Sequence, residues 1–372
     1  MVPLLTITLS TIRTAAVLAR ATDATLVSTG LRNMGNTCYM NAQLECAFHI
    51  PLIRDIIIQQ GHHQHQRDRT NIGITALRCL FKDMELSAQS DRGYPAAPQS
   101  LCRTLGIPIG QQQDSQEFWK LLLPALNVDR LSELYQGVYE DYITAMDDSG
   151  RERRRDEPFL DLSLEVQSHD SVLDSMGVRF GAPELLSEAE GNGWRPEKGD
   201  DKIDALKGSV LRVSGLPSLL QLHLKRFQYD WEVEEMSKLN SRFTFPSELD
   251  LHEFCSGSTE IEHEGALYDL QSVIVHEGEY ASGHYYSYVR PNIREDDWYR
   301  FDDDRVTQVS LEDVVKDAYG GKTVGEVKQQ EKRGLLQRLF SGGGSYGWGG
   351  PNSSAYMLQY VKRNDIKKLY DI

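Results

Sequence analysis

The spacing of apolar residues changes along this chain, and that change limits the folds open to it. Across about residues 37–81 the spacing is helical: Met40, Leu44, Ala47 and Phe48 recur at i, i+4, i+7 and i+8 on one face, and Pro51 limits that helix. A second helix is expected from the stretch QQQDSQEFW. There Asp114 and Glu117 form a capping-box pattern, with Asp in the Ser/Thr place, ahead of an apolar stripe of Phe118, Leu121, Leu122 and Ala125. After Pro217 the period falls to two. Residues 220–225 (LQLHLK) alternate, as do parts of 268–276 and 284–290, and 298–301 and 355–361 complete a set of strands. Helices first and an antiparallel sheet afterwards define an α+β chain.

Between these regions the pattern is weaker. Residues 139–143 and 159–166 read as strands, the charged run 147–157 as a turn and the Glu-, Gly- and Pro-rich stretch 181–201 as a loop. The polar tract 61–69, with three histidines, reads as a solvated loop, because no acid or cysteine stands at ligand spacing from it. No internal repeat is present. At 372 residues the chain can bury a substantial core, and a prior of roughly 150 residues per domain suggests two or three modules.

The net charge of −15 disfavours nucleic acid and anionic membrane as partners and favours a basic one. No stretch reaches the 18 uninterrupted apolar residues of a spanning helix. Five cysteines, an odd number without any CxxC pair, signal neither a disulfide framework nor a tetrathiolate zinc site, and point to a reducing compartment. The first 22 residues hold Arg13 and Arg20 and no acid, and residues 1–28 are expected to be a flexible N-terminal extension.

The segment GLRNMGNTCYMN, residues 30–41, puts a cysteine where a helix begins. Gly35 and Asn36 permit a tight turn and Thr37 can cap, so Cys38 falls in the first turn. There the unpaired N–H groups and the positive dipole end favour a thiolate. Asn33 is an amide donor that such a turn can fold back over the same site, suited to an oxyanion. The alternative is a buried structural cysteine after a turn. A cysteine nucleophile needs a base and the base an orienting group. His284 stands at a strand's entrance between Gly283 and the run YYSY, and 18 residues on, WYRFDDD offers Asp302 at the end of the next strand. His276, eight residues upstream of His284, remains a rival by spacing. The aspartate run also reads as a solvated turn or a hard-cation site.

Taken in order, GLRNMGNTCYMN, QQDSQEF, LQLHLKRF, VIVHEGEYASGHYYSYVR with WYRFDDDRV, and AYMLQY resemble the signatures of the ubiquitin-specific proteases, papain-like deubiquitinating enzymes, across residues 30–361. Within that family YDWEVEEMSKLNSRFTFPSELDL and Ala318-Tyr319-Gly320-Gly321 look closest to the herpesvirus-associated branch. The resemblance implies a thumb–palm–fingers fold with an antiparallel palm sheet. The catalytic domain would span 29–365, with the thumb at about 30–130, the fingers at about 131–215 and the palm at about 216–361. It implies Cys38 as nucleophile, His284 rather than His276 as general base, Asp302 as orienting residue, Asp303 in support and Asn33 as oxyanion donor. It further implies that Asp114, Glu117, Phe227 and Tyr285 bind the ubiquitin tail, that ubiquitin and ubiquitinated proteins are the partners, and that the protein works in the cytoplasm, the nucleus or both.

Two departures stand out. Many members carry two CxxC pairs in the fingers that hold zinc. Here the turn near Ser149 has no cysteine and the second knuckle reads WRPEKG, so no metal or cofactor is expected and strand pairing alone should hold the finger tips. An insertion at 322–354 carries an apolar cluster of Leu335, Leu336, Leu339 and Phe340 and a glycine-rich stretch, and reads as a covered loop.

Overall fold

A computed structural model describes residues 26–63, 72–231, 234–255, 263–280, 282–321 and 352–371. Residues 1–25 of the expected extension, residues 64–71, which include all but the first three residues of the histidine tract, and the insertion up to residue 351 lie outside the described residues.

Along the chain come helices α1 (Cys38–Phe48), α2 (Pro51–His63), α3 (Ile72–Ala88), α4 (Gln99–Leu105), α5 (Ser115–Leu126) and α6 (Asp129–Tyr135). Strands β1 (Gly137–Ala145), β2 (Glu152–Phe159) and β3 (Leu162–Glu165) lead to α7 (Val172–Phe180), β4 (Glu184–Leu186) and β5 (Ala205–Leu211). Then follow β6 (Leu219–Lys225), β7 (Phe227–Asp230), β8 (Glu235–Lys238), β9 (Glu248–Asp250), β10 (Leu267–Glu279), β11 (Ser282–Val289), β12 (Trp298–Asp302) and β13 (Arg305–Val309). Helix α8 (Leu311–Ala318), strand β14 (Ser353–Lys362) and helix α9 (Ile366–Tyr370) close the chain. No described helix is long and apolar enough to cross a membrane.

The chain divides into two compact units. The first comprises residues up to Leu131, Tyr285–Ser310 and Asp365 onward; the second comprises Ser132–His284 and Leu311–Asn364, so the division falls inside β11.

In the first unit α1 is buried along all of its 11 residues, including Asn41, Gln43 and Glu45. The single apolar face expected from the sequence therefore understates it. A helix covered on every side must satisfy its polar groups internally. Pro51 limits α1 by opening α2, where a residue without an N–H costs no intrahelical bond, and α2 continues through His63 into what had read as loop. Helix α5 starts at Ser115 as expected, but its buried face is Phe118, Trp119, Leu122, Leu123 and Leu126. Leu121 is 65% exposed, so the core stripe lies beside the one the sequence suggested. The aromatic Trp119 and the leucines at 123 and 126 outweigh Leu121 and Ala125 as burial partners. Strands β11, β12 and β13 form an antiparallel meander in which Ser287 faces Phe301 and Asp302 faces Arg305.

The second unit is built on β10, paired antiparallel with β14 on one side and with β9 on the other. Strand β14 pairs antiparallel with β6, and β6 takes β3 as a parallel neighbour, the one departure from an antiparallel palm sheet among the described strands. A separate four-stranded sheet runs β2–β1–β5–β4. Its edge strand β2 has the sequence ERRRDEPF and is exposed except at its end, so the run read as a charged turn is a solvated edge strand. Alternation is missing there because neither face is buried, and charge on an edge disfavours strand-to-strand aggregation. Arg154 reaches across to Glu140 of β1 at 2.6 Å.

At the far end of that sheet, Trp194 packs with Ala145 and Ala205 against Ile143, Leu186 and Ile203, and the backbones of Trp194 and Ile203 bond reciprocally at 2.9 Å. The tips are therefore held by a small apolar core as well as by strand pairing, contrary to the expectation of pairing alone. Helix α7 had no counterpart in the sequence reading. Its signal was Ser171 three residues before Asp174, whose N–H bonds to the Ser171 hydroxyl at 3.1 Å.

Candidate active site

The cysteine turn is organised by one side chain. Asn33 Oδ1 accepts from the N–H groups of Gly35 (3.0 Å) and Thr37 (3.1 Å) and from the Thr37 hydroxyl (3.3 Å), which folds residues 33–37 into a closed loop. Thr37 occupies the N-cap position, but its hydroxyl accepts from Met34 N–H at 3.0 Å instead of capping the helix; its carbonyl receives Met40 and Asn41. Cys38 is the first helical residue, at the end where N–H groups lack intrahelical partners, and is 3% exposed.

This turn is pinned to the β12–β13 hairpin through Asp303. That residue sits in the left-handed region, with φ of 54°. Its carbonyl accepts from Leu31 N–H at 3.0 Å, and a Cβ at Gly30 would collide with that oxygen. Its carboxylate accepts from Asn33 Nδ2 at 2.9 Å through one oxygen and from Asn41 Nδ2 at 2.8 Å through the other. Asn41 stands one turn past Cys38 and is 2% exposed. A buried amide inside a helix demands a partner; the sequence shows the amide of Asn41 but not its burial, and so carries no sign of this role. Asp302, closing β12, pairs with Arg300 at 3.1 Å, and the Arg300 guanidinium lies 4.1 Å from the centre of the Tyr286 ring.

A second residue missed by the sequence reading is Gln112, whose side-chain nitrogen lies 3.9 Å from the Cys38 sulfur. Just beyond it, Asp114 caps α5 by accepting from Gln116 N–H (2.7 Å) and Glu117 N–H (3.0 Å). Glu117 is exposed, and its carboxylate makes no hydrogen bond among the described residues, so the reciprocal half of the capping box is not formed.

Beneath α1 lies a buried polar cluster. Ser28 donates its hydroxyl to Glu45 at 3.1 Å and its N–H to His49 Nε2 at 3.2 Å, while His49 Nδ1 lies 2.7 Å from the Glu45 carbonyl. These contacts require the neutral tautomer with the proton on Nδ1. Burial pushes the Glu45 carboxyl up to about 8 and the His49 imidazole down to about 3, so at neutral pH both groups are uncharged. The His49 ring also packs 4.7 Å from that of Phe301, the residue preceding Asp302.

In the second unit His284 is the third residue of β11 and half-buried. His276 is 1% exposed, its ring is 5.1 Å from that of Phe227, and a Cβ at residue 283 would collide with its Nε2. Burial, the Lys238 ammonium and His284 together push His276 down to about 3, which leaves it a neutral packing residue. Phe227 is half-buried and also meets Tyr280 and Tyr356. Tyr285, which belongs to the first unit, is by contrast 3% exposed, so its ring is packed inside the protein.

A thiol on a helix N-terminus, an amide aimed at the sulfur and paired aspartates on a clamped hairpin suit a papain-like cysteine hydrolase. The family model for ubiquitin carboxyl-terminal hydrolase matches residues 29–360. The chain is 31% identical over 355 residues to ubiquitin C-terminal hydrolase 13 of Arabidopsis thaliana, covering 91% of this chain and 30% of that protein. It is 32% identical over 353 residues to ubiquitin carboxyl-terminal hydrolase 15 of Schizosaccharomyces pombe (91% and 28%), and 28% identical over 362 residues to ubiquitin carboxyl-terminal hydrolase 15 of Saccharomyces cerevisiae (91% and 27%). This chain belongs to the ubiquitin carboxyl-terminal hydrolase family. It spans less than a third of the length of these relatives.

Proposed function

We propose that this protein is a cysteine-type deubiquitinase, hydrolysing the peptide or isopeptide bond after the C-terminal glycine of ubiquitin. The observation that carries this reading is the clamp of Asp303 on Asn33 and Asn41, which holds the cysteine turn and the start of α1 in one geometry. Preorganisation of this kind lets a nucleophile and its oxyanion donor act without reorganising during the reaction.

In this reading His284 takes the thiol proton as the Cys38 sulfur bonds to the glycine carbonyl carbon, and the carbonyl electron pair moves onto oxygen. Asn33 has one amide proton committed to Asp303, which leaves its second for that oxyanion. Collapse of the intermediate breaks the C–N bond, and His284 protonates the departing amine. Water, deprotonated by His284, then hydrolyses the thioester and releases Cys38. Asp302 orients the imidazole and Asp303 supports the turn. The basic tail of ubiquitin meets Asp114 and the exposed carboxylate of Glu117, with the half-buried Phe227 as an apolar contact; the buried ring of Tyr285 is not available to it. All five cysteines are free thiols, which supports work in a reducing compartment, the cytoplasm or the nucleus.

A fluorogenic amide on the ubiquitin C-terminus tests the reading. Turnover is expected with the native chain and its abolition with Cys38→Ala, which should still bind ubiquitin. Turnover of native rate in Cys38→Ala would remove the assignment.

A further inference from the structure

We propose that Gln112 is a second side-chain donor to the oxyanion, and so a catalytic residue of the site, on the premise that the chain is a deubiquitinase. The first observation is placement: Gln112 Nε2 is 3.9 Å from Cys38 Sγ, although the two residues are 74 positions apart.

The second observation is that the backbone on both sides of Gln112 is tied to the cysteine turn. Before it, Asn36 N–H bonds to the Ile109 carbonyl at 2.8 Å and Asn36 Nδ2 to the Gly110 carbonyl at 2.9 Å. After it, the Ser115 hydroxyl donates at 3.0 Å to the carbonyl of Tyr39, the residue next to the nucleophile. Asp114 meanwhile fixes the start of α5 through its two N–H bonds. The amide of Gln112 is therefore carried on a short segment whose position is set by the site itself.

The chemistry follows from where charge develops. In the resting protein the N–H points at sulfur over a long, weak contact. When the sulfur–carbon bond forms and the carbonyl π pair becomes an oxyanion, that oxygen is bonded to the same carbon as the sulfur. A nitrogen 3.9 Å from the sulfur is then in range to approach the oxygen to the 2.7–3.1 Å of an oxyanion contact. The bond becomes charge-assisted only in the transition state, so its effect falls on kcat. Asn33 spends its oxygen on the turn and one proton on Asp303. A second amide aimed at the sulfur adds a donor where the first has a single proton to give.

The test uses the full chain with Gln112→Ala and Gln112→Glu, the second keeping shape while replacing the donor with an acceptor. On the ubiquitin C-terminal amide, kcat is expected to fall about a hundredfold in Gln112→Ala and further in Gln112→Glu, with KM within about threefold of native. Ubiquitin aldehyde, whose hemithioacetal with Cys38 carries the same oxygen, should bind both variants more weakly by a similar factor. Alkylation of Cys38 by iodoacetamide creates no oxyanion and should proceed at the native rate. A kcat within about threefold of native in Gln112→Ala would overturn the proposal, as would an alkylation rate that falls in step with kcat, the mark of a structural role. If the native chain itself shows no Cys38-dependent turnover, the deubiquitinase reading fails and this inference with it; turnover in native chain and variant alike sinks only the role of Gln112.

Discussion

Replacing Glu45 by Gln should stabilise the protein, and by an amount that grows with pH. Glu45 is 1% exposed, hydrogen-bonded to Ser28 and next to the neutral His49. Burial raises its carboxyl from an ordinary 4.5 to about 8, so the folded chain keeps a proton that the unfolded chain releases. Above pH 4.5 the unfolded state binds fewer protons than the folded one at this group, and stability falls as pH rises until about pH 8, where the fall stops. Three and a half pH units at about 1.4 kcal/mol each come to a cost on the order of 5 kcal/mol at pH 8. His49 acts with the opposite sign: held neutral down to about 3, it makes stability rise with pH between there and 6.5. The two effects oppose each other between 4.5 and 6.5, so the decline due to Glu45 emerges in the native chain above about 6.5. A glutamine retains an oxygen for the Ser28 hydroxyl and cannot ionise. Urea unfolding midpoints of the native chain and Glu45→Gln at pH 5, 6.5 and 8 should diverge progressively, with the variant ahead at pH 8. Midpoints that run parallel across the range would refute a proton held by burial at Glu45.

Other substitutions probe the rest of the scaffold. Asp303→Ala removes the acceptor for Asn33 and for the buried Asn41 amide, and should cost about 1–3 kcal/mol in urea unfolding along with most of the turnover. Gly283→Ala drives a methyl into His276 and should destabilise by about 1–3 kcal/mol; adding His276→Ala should restore part of that loss, a non-additivity readable by a double-mutant cycle. Trp194→Ala empties the small core at the end of the four-stranded sheet, and limited proteolysis should then cut within residues 186–205 before other sites.

Much of the fold was legible because its signals are local. Asp114 announced α5 through a cap that needs only residues 114–117, and the alternation in β6 and in parts of β10 and β11 named those strands. The start of α1 at Cys38 followed from the turn residues before it. Strand β2 escaped because a solvated edge has no alternation to read, and the buried face of α5 lay beside the expected stripe because what packs on a helix comes from elsewhere in the chain.

Sequence alone determined the passage from helices to strands, the placement of Cys38 at a helix start and the family to which the chain belongs. Only the tertiary structure decided that Asp303 grips amides 270 and 262 positions away, that His276 is a walled-in packing residue, and that Glu45 keeps its proton. The reason is physical: periodicity and capping act over a few residues along the backbone. Burial, proton affinity and the partner of a side-chain amide are set by atoms that approach through space from distant parts of the chain.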